Sequence, residues 1–228
     1  MGPMSPSPKS DLATRRRAAL QRARLYLCID ARSAQGDLAE FVDAAYTGGV
    51  DIIQLRDKSL EARAEIEALE VLREAARRHG KLFAANDRAD VAALVGADVF
   101  HVGQRDLTTA QARRILGDDV IIGRSNNSLE QFSSSYADPG LDYAVIGPVW
   151  PTPTKPGRPA VGLDTVRSVA QHVGTGAKPW FAIGGVDATN LAQVKSVGAE
   201  RIVVVRAIAD APDPAAAARL LRAQLPQW

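Results

Sequence analysis

The sequence predicts an α/β chain folded as one closed (βα)8 barrel. Short runs rich in Val, Ile, Leu, Tyr and Phe recur from Arg24 onward, and each is followed by an Ala-rich stretch with apolar residues at helical spacing. That alternation marks βα units around a parallel sheet. Eight runs and eight helical stretches favour closure into a TIM barrel over an open doubly wound sheet, although periodicity alone does not separate the two. The 228 residues show no composition break and fit one such unit, which typically takes about 250 residues.

Strands are expected at Leu25 to Ile29, Ile52 to Leu55, Leu82 to Ala85, Val99 to Val102, Ile121 to Gly123, Tyr143 to Ile146, Trp180 to Ile183 and Ile202 to Val205. Helices are expected at Leu38 to Ala45, Leu60 to Arg78, Asp90 to Val95, Thr109 to Leu116, Leu129 to Ala137, Leu163 to Val173, Asn190 to Val197 and Ala215 to Leu225. The proline-rich stretch from Gly147 to Gly162 reads as an ordered functional loop. Residues 1–20 are expected as an N-terminal tail, disordered at its start, and residues 21–228 as the barrel domain.

Composition narrows the function classes. A net charge of +2 gives no broad cationic field, so nucleic acid is not an implied partner. The one cysteine, Cys28, allows no intrachain disulfide and fits a reducing cytoplasm. Apolar runs fall far short of the ~20 residues of a membrane span, and the basic N-terminus is not followed by the apolar stretch of a secretory signal. A homo-oligomer stays open, because exposed faces of barrel helices are either solvated or packed on a partner.

Nearly every chemically notable residue follows an expected strand, where a barrel places its active site. In Gln54-Leu55-Arg56-Asp57-Lys58, Gln54, Arg56 and Lys58 alternate and would project to one side, with a forked and a compact cation suited to phosphate. The plainer reading is a rim salt bridge to Asp57. Asn86-Asp87-Arg88 and the segment from His101 to Asp106 follow neighbouring strands, so Asp87 and Asp106 could converge on a hard cation such as Mg²⁺. Either could instead cap a helix. His79, His101 and His172 form no metal-ligand set, and His101 reads as a packed barrel residue. Ser125 follows strand five and could donate to a bound oxygen. Thr152, Thr154 and Lys155 stand on the proline-stiffened loop as an oxyanion grip or as part of a rigid linker. Gly184-Gly185 and Val205-Arg206 fall where barrels bind phosphate, backbone amides and a helix terminus near Thr189 assisting, although a glycine pair alone is only a turn.

In this order, QLRDK, NDR, GADVFHVGQRDL, IGRS, GPVWPTPTK, AIGGV and VVVRAI resemble the thiamine phosphate synthases from Leu25 to Ile208. The resemblance implies a transferase that joins 4-amino-5-hydroxymethyl-2-methylpyrimidine diphosphate to 4-methyl-5-(2-phosphoethyl)thiazole and releases diphosphate. By the same resemblance, Gln54, Leu55, Arg56, Asp57, Lys58, Asn86, Ser125 and Lys155 would hold the pyrimidine diphosphate, and Asp87 and Asp106 would bind Mg²⁺. Thr152, Pro153, Thr154, Gly185, Val205 and Arg206 would hold the thiazole phosphate, with Arg56, Lys58, Ser125 and Lys155 as the catalytic groups. The chain departs from the family pattern at Arg105, Asn127, Trp150 and Arg206, where many members have Glu, His, Phe and Ser. The rivals are a thiazole tautomerase, a non-catalytic sensor of a thiamine precursor and another phosphate-binding barrel. Asn127 weighs against the first because it removes a titratable group. The other two leave the carboxylate pair or QLRDK without a role.

Overall fold

The computed structural model describes residues 10–152, 159–174 and 176–227. Its strands are β1 (Leu25–Ile29), β2 (Ile52–Leu55), β3 (Leu82–Asn86), β4 (Val99–Val102), β5 (Ile121–Asn126), β6 (Tyr143–Ile146), β7 (Trp180–Ile183) and β8 (Ile202–Val204). They run parallel and close in sequence order, β8 pairing with β1, as the periodicity predicts. The helices are α1 (Asp11–Arg22), α2 (Leu38–Thr47), α3 (Ala62–His79), α4 (Ala89–Val95), α5 (Thr109–Leu116), α6 (Leu129–Ala137), α7 (Gly162–Val173), α8 (Leu191–Ser196), α9 (Arg206–Ala209) and α10 (Pro214–Gln224).

Side chains alternate along each strand, so one set fills the barrel and the other meets the helices. Tyr26, Ile52, Ala84, Val99, Ile121, Tyr143, Phe181 and Val203 form the inner cluster. Leu27, Ile53, Leu55, Phe83, Phe100, Ile122, Ala144 and Val204 belong to the larger core between strands and helices. Tyr26, Tyr143 and Phe181 meet inside with ring centroids 5.7–6.1 Å apart. Gly123 on β5 makes room for them, since a Cβ there would lie 2.0 Å from the Tyr143 ring.

The clearest departure from expectation is α1. The tail expected over residues 1–20 is helical from Asp11, and the boundary drawn at residue 20 falls inside this helix. Ser10 caps it by accepting from the Ala13 N–H at 3.1 Å. Leu20 is buried in the inner barrel cluster, so the helix closes that end. Arg15-Arg16-Arg17 hid the pattern, because a basic triplet reads as solvated until its partners are known. Arg16 donates to Asp98 at 2.8 Å and Arg17 to Asp142 at 2.7 Å.

Those carboxylates belong to a repeated device. Asp51, Asp98 and Asp142 each precede an even-numbered strand and accept from the Leu25, Phe83 and Ile122 N–H groups at the start of the preceding odd-numbered strand. Each also meets a cation, Lys81 for Asp51, Arg16 for Asp98, and Arg17 with Arg113 for Asp142. Strand-start donors are thereby satisfied without water.

At the opposite end two further differences matter. Strand β5 continues past Gly123 to Asn126 because Ser125 and Asn126 stay paired in register with Val145 and Ile146 of β6. The last strand stops at Val204, and Val205, at φ −125° and ψ −90°, turns the chain into α9. No helix among the described residues is long and apolar enough to cross a membrane.

If α1 holds the closed end, Leu20→Ala should lower stability by about 2–5 kcal/mol, read as an earlier midpoint in urea unfolding. An unchanged midpoint would show that the barrel does not rely on this plug.

Candidate active site

The notable residues gather at the carboxyl ends of the strands, around two adjoining cavities. One of about 260 Å³ opens among the loops after β5 to β8, bordered by Ser125, Asn127, Thr152, Gly185, Val205 and Arg206. A narrower one of about 40 Å³ is bordered by Gln54, Arg56, Asn86, His101 and Ser125. Ser125 borders both.

Not every residue picked out along the chain faces these cavities. Leu55 is buried in the outer core, as strand alternation requires, so only its backbone is near the mouth. Asp57 braces its own loop. Its carboxylate accepts from the Ser59 hydroxyl at 2.6 Å, from the Ser59 N–H at 3.0 Å and from the Ala31 N–H at 3.3 Å. Burial opposes its ionisation, yet these donors hold its carboxyl below the usual range. Pro153, Thr154 and Lys155 lie outside the described residues.

Lys58 does not form the rim bridge to Asp57. Its ammonium reaches across to Asp87 at 2.8 Å, and the side chain remains mostly exposed. Neither Asp87 nor Asp106 caps a helix. Arg88 stands at the N-cap of α4 with no side-chain bond, and Thr108 caps α5 in a reciprocal box with Gln111. Asp87 has φ +61°, a left-handed conformation that Asp tolerates better than most residues, and its N–H donates to the His101 carbonyl at 3.0 Å. Asp106 accepts from the Gly103 N–H at 2.7 Å. Burial opposes ionisation of Asp106, but the Gly103 N–H, a hydrogen-bonding contact with Asp87 and the Lys58 charge hold its carboxyl below the usual range.

Two carboxylates in contact either share a proton or draw a cation between or beside them. Lys58 supplies one here, and a hard divalent ion suits the same oxygens. Among the described residues no group of three or more His, Cys, Asp or Glu side chains is placed to hold a metal. Two such carboxylates suit a cation like Mg²⁺, which takes its remaining ligands from waters and phosphates.

Beneath the mouth runs a chain of polar side chains whose inner links, Tyr26 and Tyr143, the sequence reading missed, and whose His101 it read as packing alone. Gln54 Nε2 donates to Asn86 Oδ1 at 2.8 Å, and Gln54 Oε1 accepts from the Tyr26 hydroxyl at 2.7 Å. The Tyr26 and Tyr143 hydroxyls lie 3.2 Å apart. His101 places Nδ1 2.8 Å from the Tyr143 hydroxyl and Nε2 2.7 Å from Ser125 Oγ. The usable signal was an unusual count of polar residues at inward strand positions, where Val and Ile dominate.

Around the larger cavity the loops are tied together. Val149 and Trp150 donate to the Ile183 and Gly184 carbonyls at 2.8 and 3.1 Å, fixing the start of the proline-rich loop beside β7. Gly147 permits this approach, since a Cβ there would sit 2.2 Å from the Ile183 carbonyl oxygen. Asn127 donates to the Gly147 carbonyl at 2.7 Å. The helix terminus expected to assist phosphate near Thr189 is already served by the protein. Asp187 accepts from the Thr189 N–H and hydroxyl and from the Asn190 N–H, and α8 starts only at Leu191. The Thr189 hydroxyl, with backbone donors and the nearby Arg206 charge, holds the Asp187 carboxyl below its usual range against the effect of burial. Gly185 and the exposed Arg206 border the same cavity and are the groups left beside it for an anion to meet.

The family model described as thiamine monophosphate synthase matches residues 25–208. A thiamine-phosphate synthase of Thermobifida fusca is 60% identical over 210 residues, covering 92% of this chain and 95% of that one. One from Acidothermus cellulolyticus is 57% identical, covering 92% and 98%. The solved thiamine phosphate pyrophosphorylase of Pyrococcus furiosus superposes with a TM-score of 0.80 at 33% identity, covering 90% and 96%. With the fold, the paired cavities and these similarities in agreement along nearly its whole length, the chain belongs to the thiamine monophosphate synthase family.

Proposed function

We propose that this chain joins 4-amino-5-hydroxymethyl-2-methylpyrimidine diphosphate to 4-methyl-5-(2-phosphoethyl)thiazole, making thiamine phosphate and diphosphate. The observation that carries the reading is the pair of cavities meeting at Ser125. One adjoins Arg56 and, across the mouth, Lys58, Asp87 and Asp106, and the other opens onto Gly185 and Arg206. An electrophile with a charged leaving group and a nucleophile with a phosphate handle would then meet end to end.

In the step itself, the bond from the pyrimidinylmethyl carbon to the diphosphate oxygen breaks, and its electron pair leaves with diphosphate. The exocyclic amino group stabilises the resulting cation, and the thiazole nitrogen lone pair forms the new carbon–nitrogen bond. Such a route calls for leaving-group neutralisation more than for a general base. Arg56 and Lys58 are the cations at hand, joined by Lys155 from the proline-rich loop. Gln54, Asn86 and Ser125 orient the pyrimidine diphosphate. Gly185, Val205 and Arg206, together with Thr152, Pro153 and Thr154, would hold the thiazole and its phosphate. Asp87 and Asp106 would hold Mg²⁺, which supplies further charge neutralisation to the departing diphosphate. Lys58, paired with Asp87 here, stands beside these carboxylates and would add its charge to the same diphosphate oxygens. A cytoplasmic setting suits two phosphorylated substrates.

The direct test mixes purified protein, both precursors and Mg²⁺, and follows thiamine phosphate and diphosphate with and without EDTA. Equal release of both products, lost with EDTA, is expected, and precursor binding without product would reject the synthase reading. Asp106→Asn and Asp87→Asn should each lower kcat by at least about a hundredfold while far-UV circular dichroism stays unchanged. Asn is the right replacement at position 87 because it shares the tolerance for positive φ. Unchanged turnover would dismiss the metal pair. Lys155→Ala should reduce kcat more than thiazole affinity, and a loss confined to thiazole binding would move that lysine to the other substrate.

A further inference from the structure

The buried chain from Asn86 to Ser125 has a direction, and the direction follows from counting hydrogens. Tyr26 gives its one hydroxyl hydrogen to Gln54 Oε1, because Gln54 Nε2 is directed to Asn86. The 3.2 Å contact between the two phenols then requires Tyr143 to donate to Tyr26. With its hydrogen so placed, Tyr143 can only accept from His101 Nδ1 at 2.8 Å. Each ring nitrogen of this buried histidine meets a hydroxyl, Tyr143 at Nδ1 and Ser125 at Nε2. A neutral ring protonated at Nδ1 leaves Nε2 as an acceptor, so the Ser125 hydroxyl must donate to it at 2.7 Å.

We propose that Tyr26, Tyr143 and His101 are positioning residues that fix His101 as the Nδ1–H tautomer and make Ser125 a hydrogen-bond acceptor toward the substrate. The consequence reverses the expectation that Ser125 donates to a bound oxygen. With its hydrogen held by His101, Ser125 Oγ offers lone pairs where the two cavities meet, and the group it selects must carry a hydrogen. Resting on the synthase reading above, that group is the exocyclic amino group of the pyrimidine, and a pyrimidine with oxygen at that place would be rejected. At the far end the same chain leaves Asn86 Nδ2 to donate, which suits a phosphate oxygen. One row of six side chains thereby presents an acceptor at one end and a donor at the other.

The ligand-free protein reports the tautomer directly. The sequence holds only three histidines, so nitrogen NMR of isotope-labelled protein, compared with His79→Gln and His172→Gln variants, isolates the His101 ring. The expected spectrum shows Nδ1 protonated and Nε2 bare at neutral pH; a bare Nδ1, or a ring protonated at both nitrogens, would overturn the proposal. Tyr143→Phe keeps the ring packing but removes the acceptor for Nδ1–H. It should shift the ring toward the Nε2–H form and lower kcat by roughly tenfold, with KM for the thiazole phosphate within about twofold. In a Ser125→Ala background the same substitution should cost less than about twofold, since the group it orients is gone. Independent, multiplying losses would mean that Tyr143 only supports packing. The spectrum needs no turnover and the turnover assay needs no spectrum, so this inference and the synthase reading fail separately.

Discussion

A closed barrel gives each strand side chain two choices, the interior or the helix layer, and the interior is too narrow to hydrate what enters it. Polar groups placed there have to satisfy one another. This constraint explains why Gln54, His101 and Ser125 are hydrogen-bonded from below although they border the mouth, and why two phenols stand among Val, Ile and Phe. The mouth residues are held from below by this inner row and from the sides by backbone ties such as those between the β6 and β7 loops.

The two ends of the barrel solve opposite problems. At the closed end, Asp51, Asp98 and Asp142 are neutralised by fixed cations and consumed by strand-start N–H groups, so they are structural. At the open end, Asp87 and Asp106 are similar carboxylates, but their cation is the solvent-facing Lys58. An exposed pair of that kind contributes little to stability, which leaves Lys58 able to change partners at small cost. The difference between the two sets is therefore the exposure of the counter-charge rather than the type of acid.

The barrel was legible in the sequence because period-two and period-3.6 patterns survive without knowledge of contacts. Gln54, Arg56, Asn86 and Ser125 were legible as a group because all follow or end strands. Helix α1 was not, since Arg15-Arg16-Arg17 acquires meaning only from Asp98 and Asp142, which lie more than eighty positions away. Asp57 and Asp187 looked alike in composition to the other loop acids, and only the local turns they brace separate them. His101 was read as packing, which is correct for its burial and incomplete for its hydrogen bonds. Leu55 fell into the site by adjacency, whereas the pleat sends it the other way.

The fit of Tyr143 against Gly123 also bears on how such an interior can be altered over generations. A side chain at position 123 meets the phenol ring, and a smaller residue at position 143 leaves a void beside the glycine while breaking the row of hydroxyls. Apart from Phe at position 143, which keeps the packing but breaks the row, single replacements at either position pass through a poorly packed or overcrowded form, and only a paired change reaches another well-filled arrangement. The polarity of the site is thus held together as a block, so drift at the rim, as at Asn127 or Arg206, is far more accessible than drift in the row beneath it.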